Sequence, residues 1–258
     1  MNRPGNPVPQ AVKAPHAPLV AYYTSERERA GFVRRMFDST AADYDRMERI
    51  LGFGTGSWYR GQALERAGLK AGMRIVDVGV GTGLVAREAV RIVGDPQLVV
   101  GVDPSPGMMA RANLPQGVTL VEGTAEAIPF ADASFDFLSM GYAMRHLGDL
   151  TRAFREFHRV MKPGARLCVL EITRPQKGLG GALMKAYMKG VVPALARILG
   201  KAEGSGLLWR YYWDTIEACV SPEQVLATLE AAGFTGVRRH IQTNTLSILA
   251  EYQASKPE

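Results

Sequence analysis

The chain has 258 residues, 47% of them hydrophobic and 22% charged, with a formal net charge of +6. This length suits one sizeable α/β domain, and the composition excludes disorder of the whole chain. The basic surplus is spread among acids, as in Ser25-Glu26-Arg27-Glu28-Arg29, with no long Lys/Arg run and no nucleic-acid motif. Nucleic acid is therefore not an expected partner, whereas peripheral contact with a membrane surface is compatible with the charge.

The two cysteines, Cys168 and Cys219, form no CxxC pattern and lie near no histidine at metal-ligand spacing, so neither a disulfide framework nor a metal site is expected. This usage fits a reducing cytoplasm. No stretch approaches the ~18 apolar residues of a membrane span.

Residues 1–25 carry Pro4, Pro7, Pro9, Pro15 and Pro18 without an apolar signal-peptide core, and read as a flexible Pro-rich arm. Residues 26–258 read as a single domain. Its first part, 26–70, is helical: Phe32, Val33, Met36 and Phe37 share one face, and a second helix runs from Ser57 towards Ala67 and stops at Gly68.

The core, residues 71–175, alternates strands and helices. Arg74–Val78 reads as a buried strand, Leu84–Val93 as a helix ended by Gly94, and Leu98–Asp103 as the next strand. Ser105-Pro106 opens a short helix with a capping hydroxyl and a proline at the first helical position. Val118–Val121 and Phe135–Ser139 are further strands. A helix from Asp149 to Met161 stops at Lys162-Pro163-Gly164, and Arg166–Glu171 is the fifth strand.

Residues 176–220 break this rhythm with an apolar, aromatic segment that includes Trp209, Tyr211, Tyr212 and Trp213. It is too long for a simple loop and is expected to cover the ligand edge, or to bury itself against a second copy in a homodimer. In 221–258, Ser221-Pro222-Glu223-Gln224 carries a capping box, and strands near 237–241 and 246–251 meet across Thr243-Asn244. The predicted fold is a Rossmann-like, seven-stranded, mostly parallel sheet with helices on both faces and a C-terminal antiparallel hairpin.

The chemistry centres on Asp77-Val78-Gly79-Val80-Gly81-Thr82-Gly83, between a strand and a helix. Glycines 79, 81 and 83 let the backbone turn and approach a ligand. Asp103, twenty positions beyond Gly83, ends the second strand, where a carboxylate accepts both hydroxyls of a ribose. A dinucleotide fingerprint needs glycine or alanine at position 84, which is Leu, so the nucleotide expected is S-adenosylmethionine. Asp77 is placed to balance that cofactor's cationic groups, and backbone groups at Thr124 and Ala125 to read its adenine. Arg145 and His146 lie past the fourth strand, at the sheet's carboxyl edge. Arg145 is the candidate cation beside a reacting oxygen, and His146, with an ordinary pKa near 6.5, the candidate base.

Four segments resemble the ubiquinone/menaquinone biosynthesis C-methyltransferases: Met36-Phe37-Asp38-Ser39-Thr40-Ala41-Ala42-Asp43-Tyr44-Asp45; Glu126-Ala127-Ile128-Pro129-Phe130; Met144-Arg145-His146; and Arg159-Val160-Met161-Lys162-Pro163-Gly164 with Leu170-Glu171. The resemblance spans about Val33 to Tyr252. It implies cofactor contacts at Thr82, Asp103, Thr124, Ala125 and Gly141, a role for Tyr44 at the cofactor or substrate, and a small apolar aromatic substrate methylated on ring carbon. The chain departs from the family's pattern at Leu84, where an acid is usual, and at His146, where Asn is usual. O- or N-methyl transfer shares the same cofactor half and stays open. A nicotinamide-dependent oxidoreductase is disfavoured by the glycine spacing, and a non-catalytic cofactor-binding module by the apolar segment after Pro175.

Overall fold

The computed structural model describes residues 10–51, 54–173, 185–192, 194, 205–242 and 249–258. Helices α1 (Glu26–Leu51) and α2 (Gly56–Ala67) precede β1 (Ile75–Val78), α3 (Leu84–Val93), β2 (Val99–Asp103), α4 (Pro106–Met109) and β3 (Thr119–Glu122). Then come β4 (Phe135–Gly141), α5 (Leu150–Val160), β5 (Met161–Ile172), α6 (Ser205–Ala218), α7 (Pro222–Ala231), β6 (Thr235–Ile241) and β7 (Leu249–Ser255).

Caps set many of these boundaries. Ser105 accepts the Met108 N–H at the start of α4, Asp149 accepts that of Arg152 at the start of α5, and Ser221 and Gln224 close a reciprocal capping box on α7.

The seven strands run in the order β3-β2-β1-β4-β5-β7-β6. The first five are parallel, and β7 is antiparallel to both of its neighbours, as the sequence predicts for the C-terminal pair. Strand alternation divides the interior into two cores. Val76, Val78, Leu138, Met140, Leu167 and Val169 pack beneath α5 and α7, whereas Ile75, Phe137, Cys168 and Leu170 pack beneath α2 and α3. The strand order reverses between β1 and β4, and a doubly wound sheet opens a ligand crevice at that point.

Three boundaries differ from expectation. Met161 already pairs with Phe135, so β5 starts directly after α5 and crosses Lys162-Pro163-Gly164 through an irregular register. The last strand lies further along the chain, with Ser255 opposite Thr235, and Thr243-Asn244 lies outside the described residues. The N-terminal arm, from residue 10 onward, is packed rather than free. Val12 N–H donates to Thr228 Oγ1 at 3.0 Å. Lys13 and Pro15 carbonyls accept the N–H groups of Leu150 and Val220 at 2.6 and 2.7 Å. His16 and Tyr23 are buried. The segment bends through Lys13–His16, and there its carbonyls accept from neighbouring N–H donors rather than from a helix or strand of its own. Among the described residues no helix is long and apolar enough to cross a membrane.

Candidate active site

A cavity of about 420 Å³ opens at the crevice between β1 and β4. Its floor is the glycine turn after β1 together with the ends of β2 and β4. Its roof is α1, through Val33, Phe37 and Tyr44, and Tyr212 of α6. Of the residues expected at the cofactor, Gly79, Gly81, Thr82, Asp103, Thr124, Ala125 and Gly141 all lie in the wall. Gly79 has φ +72°, and a Cβ there would stand 2.8 Å from the Ala143 Cβ; one on Gly141 would stand 2.5 Å from Val85 Cγ2. Both positions therefore require glycine for close packing of the turn.

Asp103 is buried, and its two oxygens accept the N–H groups of Gly81 and Ser105, each at 2.8 Å. Burial pushes its pKa up to about 6, against the opposing pull of those two donors. The Thr82 hydroxyl donates to the Asp45 carboxylate of α1, tying the roof to the glycine turn.

Two expected cofactor residues stand elsewhere. Gly83 is the left-handed residue before α3, packed under Leu114 and outside the cavity wall. Asp77 is also outside the wall. In register it sits beside Ser139, on the sheet face covered by α3, and it accepts the Ser139 hydroxyl at 2.8 Å. Its pKa is pushed up to about 7 by burial, which outweighs the Ser139 and Ala86 donors. The alternation of β1 is the physical reason: Val78 faces one core and Asp77 the other.

Arg145 departs from its expected role in a similar way. It is fully buried and is not among the cavity-lining residues. Its guanidinium pairs with Glu171 at the end of β5, donates to the Tyr142 carbonyl at 2.8 Å and to Thr215 Oγ1 at 3.2 Å, and lies 4.2 Å from the Tyr212 ring centroid. A guanidinium desolvated to this degree requires a counter-charge, which Glu171 supplies.

His146 does line the cavity. Its ring stacks on Tyr211, with centroids 5.4 Å apart and planes at 22°, and meets the ring of Phe37 edge-on. Neither ring nitrogen has a hydrogen-bond partner among the described residues. Burial first, then the charges of Arg145 and Arg29 and the neighbouring His16, hold its pKa well below the ordinary 6.5, so the imidazole is neutral. The Tyr44 hydroxyl lies 2.7 Å from that of Tyr212, and burial keeps the Tyr44 phenol protonated. Trp209, Tyr211 and Trp213 are buried packing residues, and of the predicted aromatic group Tyr212 reaches the cavity.

Several site residues are missed by sequence reasoning. Asp38 of α1 accepts the Ser105 hydroxyl at 2.6 Å and the Gly107 N–H at 2.9 Å. Asp38 and Asp45 are seven positions apart and so share one helix face, a spacing that marks the side turned to the sheet edge. Arg60 of α2 lines the cavity and pairs with Glu48. Arg29 donates to the Arg145 carbonyl at 2.8 Å and meets His16 Nε2 at 2.9 Å.

A profile of the ubiE/COQ5 methyltransferase family matches residues 23–256. The chain belongs to this family. It is 35% identical over 205 residues to a demethylmenaquinone methyltransferase of Thermus thermophilus, a match covering 78% of this chain and 91% of that protein. It is 30% identical over 232 residues to a ubiquinone/menaquinone biosynthesis C-methyltransferase of Cronobacter sakazakii, covering 87% and 91%. Among solved structures, a SAM-dependent methyltransferase of Thermotoga maritima, titled a possible histamine N-methyltransferase, superposes with a TM-score of 0.61 at 22% identity. That match covers 86% of this chain and 99% of the other, and shows the shared fold. As a member of the family, the chain is an S-adenosylmethionine-dependent methyltransferase.

Proposed function

We propose that the enzyme methylates a ring carbon of an apolar hydroquinone, a quinone precursor, with His146 as the proton acceptor. The observation that carries this reading is a neutral imidazole with two unpartnered nitrogens, set in an aromatic wall on the cavity. The quinone-biosynthesis names of the relatives support the substrate class.

The cavity fits the cofactor chemically. Asp103 offers a buried carboxylate whose protein donors are backbone N–H groups, leaving lone pairs for a ribose diol. Thr124 and Ala125 border the adenine end, and Gly79, Gly81 and Gly141 give close backbone approach beside it. Asp77 and Gly83 shape the turn from behind.

When bound, S-adenosylmethionine supplies an electrophilic methyl group on a sulfonium and loses one positive charge as that methyl leaves. Phe37, Tyr44 and Tyr212 hold the flat substrate ring and exclude water. His146 accepts the phenolic proton, which pushes electron density onto the adjacent ring carbon; once that carbon carries the methyl group it sheds its own hydrogen as a proton and the oxygen regains one, so one proton is released overall. The positive charge His146 takes up replaces the one lost at sulfur, so the apolar cavity carries no extra net charge. Arg145 acts through others: anchored by Glu171 and Thr215, it fixes the loop that carries His146.

Residues 26–258 form the catalytic domain, with residues 10–25 packed against it, and in the 176–220 segment, part of which lies outside the described residues, Tyr212 closes over the substrate. We also propose that the enzyme works in the cytoplasm and meets its apolar substrate in peripheral contact with a membrane surface, a reading that the net charge of +6 supports. The test is transfer of a carbon-13-labelled methyl group to a short-tailed demethylated quinol, with the product read by NMR. A new ring C–CH3 signal, with kcat at least a hundredfold lower in His146→Phe and cofactor affinity unchanged, is expected. A methoxy product, or full activity in His146→Phe, refutes the reading.

A further inference from the structure

Four arginines border the cavity: Arg29, Arg34, Arg60 and Arg152. Arg29 is committed to the Arg145 carbonyl and to His16. Arg34 is half-exposed and pairs with Glu122 at 3.1 Å. Arg152 is exposed and donates to the Glu126 carbonyl at 3.0 Å, on the Thr124–Ala125 side. Arg60 differs from all three. Its side chain is 3% exposed, one Nη donates to Glu48, and its Nε–H has no partner among the described residues.

Its position is equally specific. The Arg60 guanidinium lies 5.8 Å from the ring of Tyr142, which follows Gly141 at the end of β4 and holds a left-handed backbone at φ +58°. Gly79 packs against Ala143 in the same loop. Arg60, Tyr142 and Gly79 thus gather at the β1–β4 side of the cavity, whereas Asp103 and Thr124 mark the β2–β3 side. A nucleoside bound by Asp103 and Thr124 directs its 5′ substituent across the glycine turn towards Arg60. The one anionic group of S-adenosylmethionine lies at the far end of that substituent.

We infer that Arg60 receives the carboxylate at the amino-acid end of the cofactor, an inference that rests on this cavity being the S-adenosylmethionine site. A guanidinium offers several N–H donors in a plane, suited to a carboxylate, and Glu48 orients it while leaving Nε–H open. Burial makes such a charge-assisted contact strong, because water competes poorly for it.

The experiment compares two ligands by calorimetry: S-adenosylhomocysteine, which carries the carboxylate, and 5′-methylthioadenosine, which lacks the amino-acid end. Arg60→Gln is expected to raise the Kd of the first at least tenfold and to change the second by less than about twofold. Arg60→Lys, which keeps the charge but not the planar fork, is expected to lose less. Equal weakening of both ligands, or of neither, overturns the assignment. In the wild-type chain, the arginine Nε–H NMR signal that Arg60→Lys lacks should move on adding S-adenosylhomocysteine and stay in place with 5′-methylthioadenosine. Absence of that selective shift overturns the assignment even where Arg60→Gln does not fold. Failure of the wild type to bind either ligand removes the cofactor-site reading itself, a separable result.

Discussion

Replacing Asp77 by Asn should stabilise the cofactor-free protein, and increasingly so as pH rises. In the folded chain Asp77 keeps its proton up to about pH 7, whereas its ordinary pKa is 3.8. Between those values folding takes up a proton, so the residue's contribution to stability falls as pH rises, by roughly 1.4 kcal/mol per pH unit. Over the whole interval this amounts to about 4 kcal/mol. Asn retains one acceptor for the Ser139 hydroxyl or the Ala86 N–H and loses the other, a cost of about 1 kcal/mol. The net gain at pH 8 is therefore about 3 kcal/mol, which raises Tm by roughly 5–10 °C in a chain of this size. Near pH 5 the two effects almost cancel. Calorimetric melting of both proteins from pH 5 to 8.5 measures the divergence. Parallel curves, or a variant that is less stable at pH 8, would show that Asp77 is charged in the folded state and refute the reasoning.

Asp103 titrates inside the binding range. Its carboxylate has a pKa of about 6 in the free protein, and only the charged form accepts a diol at both oxygens, so S-adenosylhomocysteine affinity should be flat above pH 7 and fall, by up to tenfold per pH unit, below 6. Asp103→Asn should abolish that slope, and calorimetry across pH 5–8 reads both. Glu171→Ala leaves the Arg145 guanidinium buried without its counter-ion, and urea unfolding should show a loss of about 3–5 kcal/mol. Glu171→Gln, which keeps an acceptor, should lose less.

The glycine-turn side of the cavity is legible because each lining residue comes from a short segment at the end of one strand. The glycine turn, Asp103 and Thr124-Ala125 are each marked by local residue types, and the caps at Ser105 and Ser221 fix the neighbouring helices. Orientation across the sheet was not legible. In a sheet covered on both sides every strand residue is buried, so a run such as Ile75-Val76-Asp77-Val78 does not reveal which face Asp77 joins. Long-range pairing was equally hidden. Arg145 finds Glu171 because β4 and β5 end side by side, and Thr215 because α6 returns over that edge. The prolines of the N-terminal segment suggest a free arm, whereas from residue 10 onward His16 and Tyr23 anchor it.

These distant contacts meet at one loop. Tyr142 to His146 is held by the Arg145 side chain on Glu171 and Thr215, and by the Arg145 carbonyl on Arg29. It is held also by Ala143 against Gly79 and by the His146 ring on Tyr211. The partners come from β5, α6, α1 and the glycine turn, so the imidazole is oriented by elements from both halves of the chain. Such support matters because methyl transfer gains most from groups already in place before the substrate arrives. It also accounts for a cationic, fully buried Arg145 next to a histidine that must start neutral. Burial first, and then the same charge that locks the loop through Glu171, keep the His146 proton off until a phenol donates one.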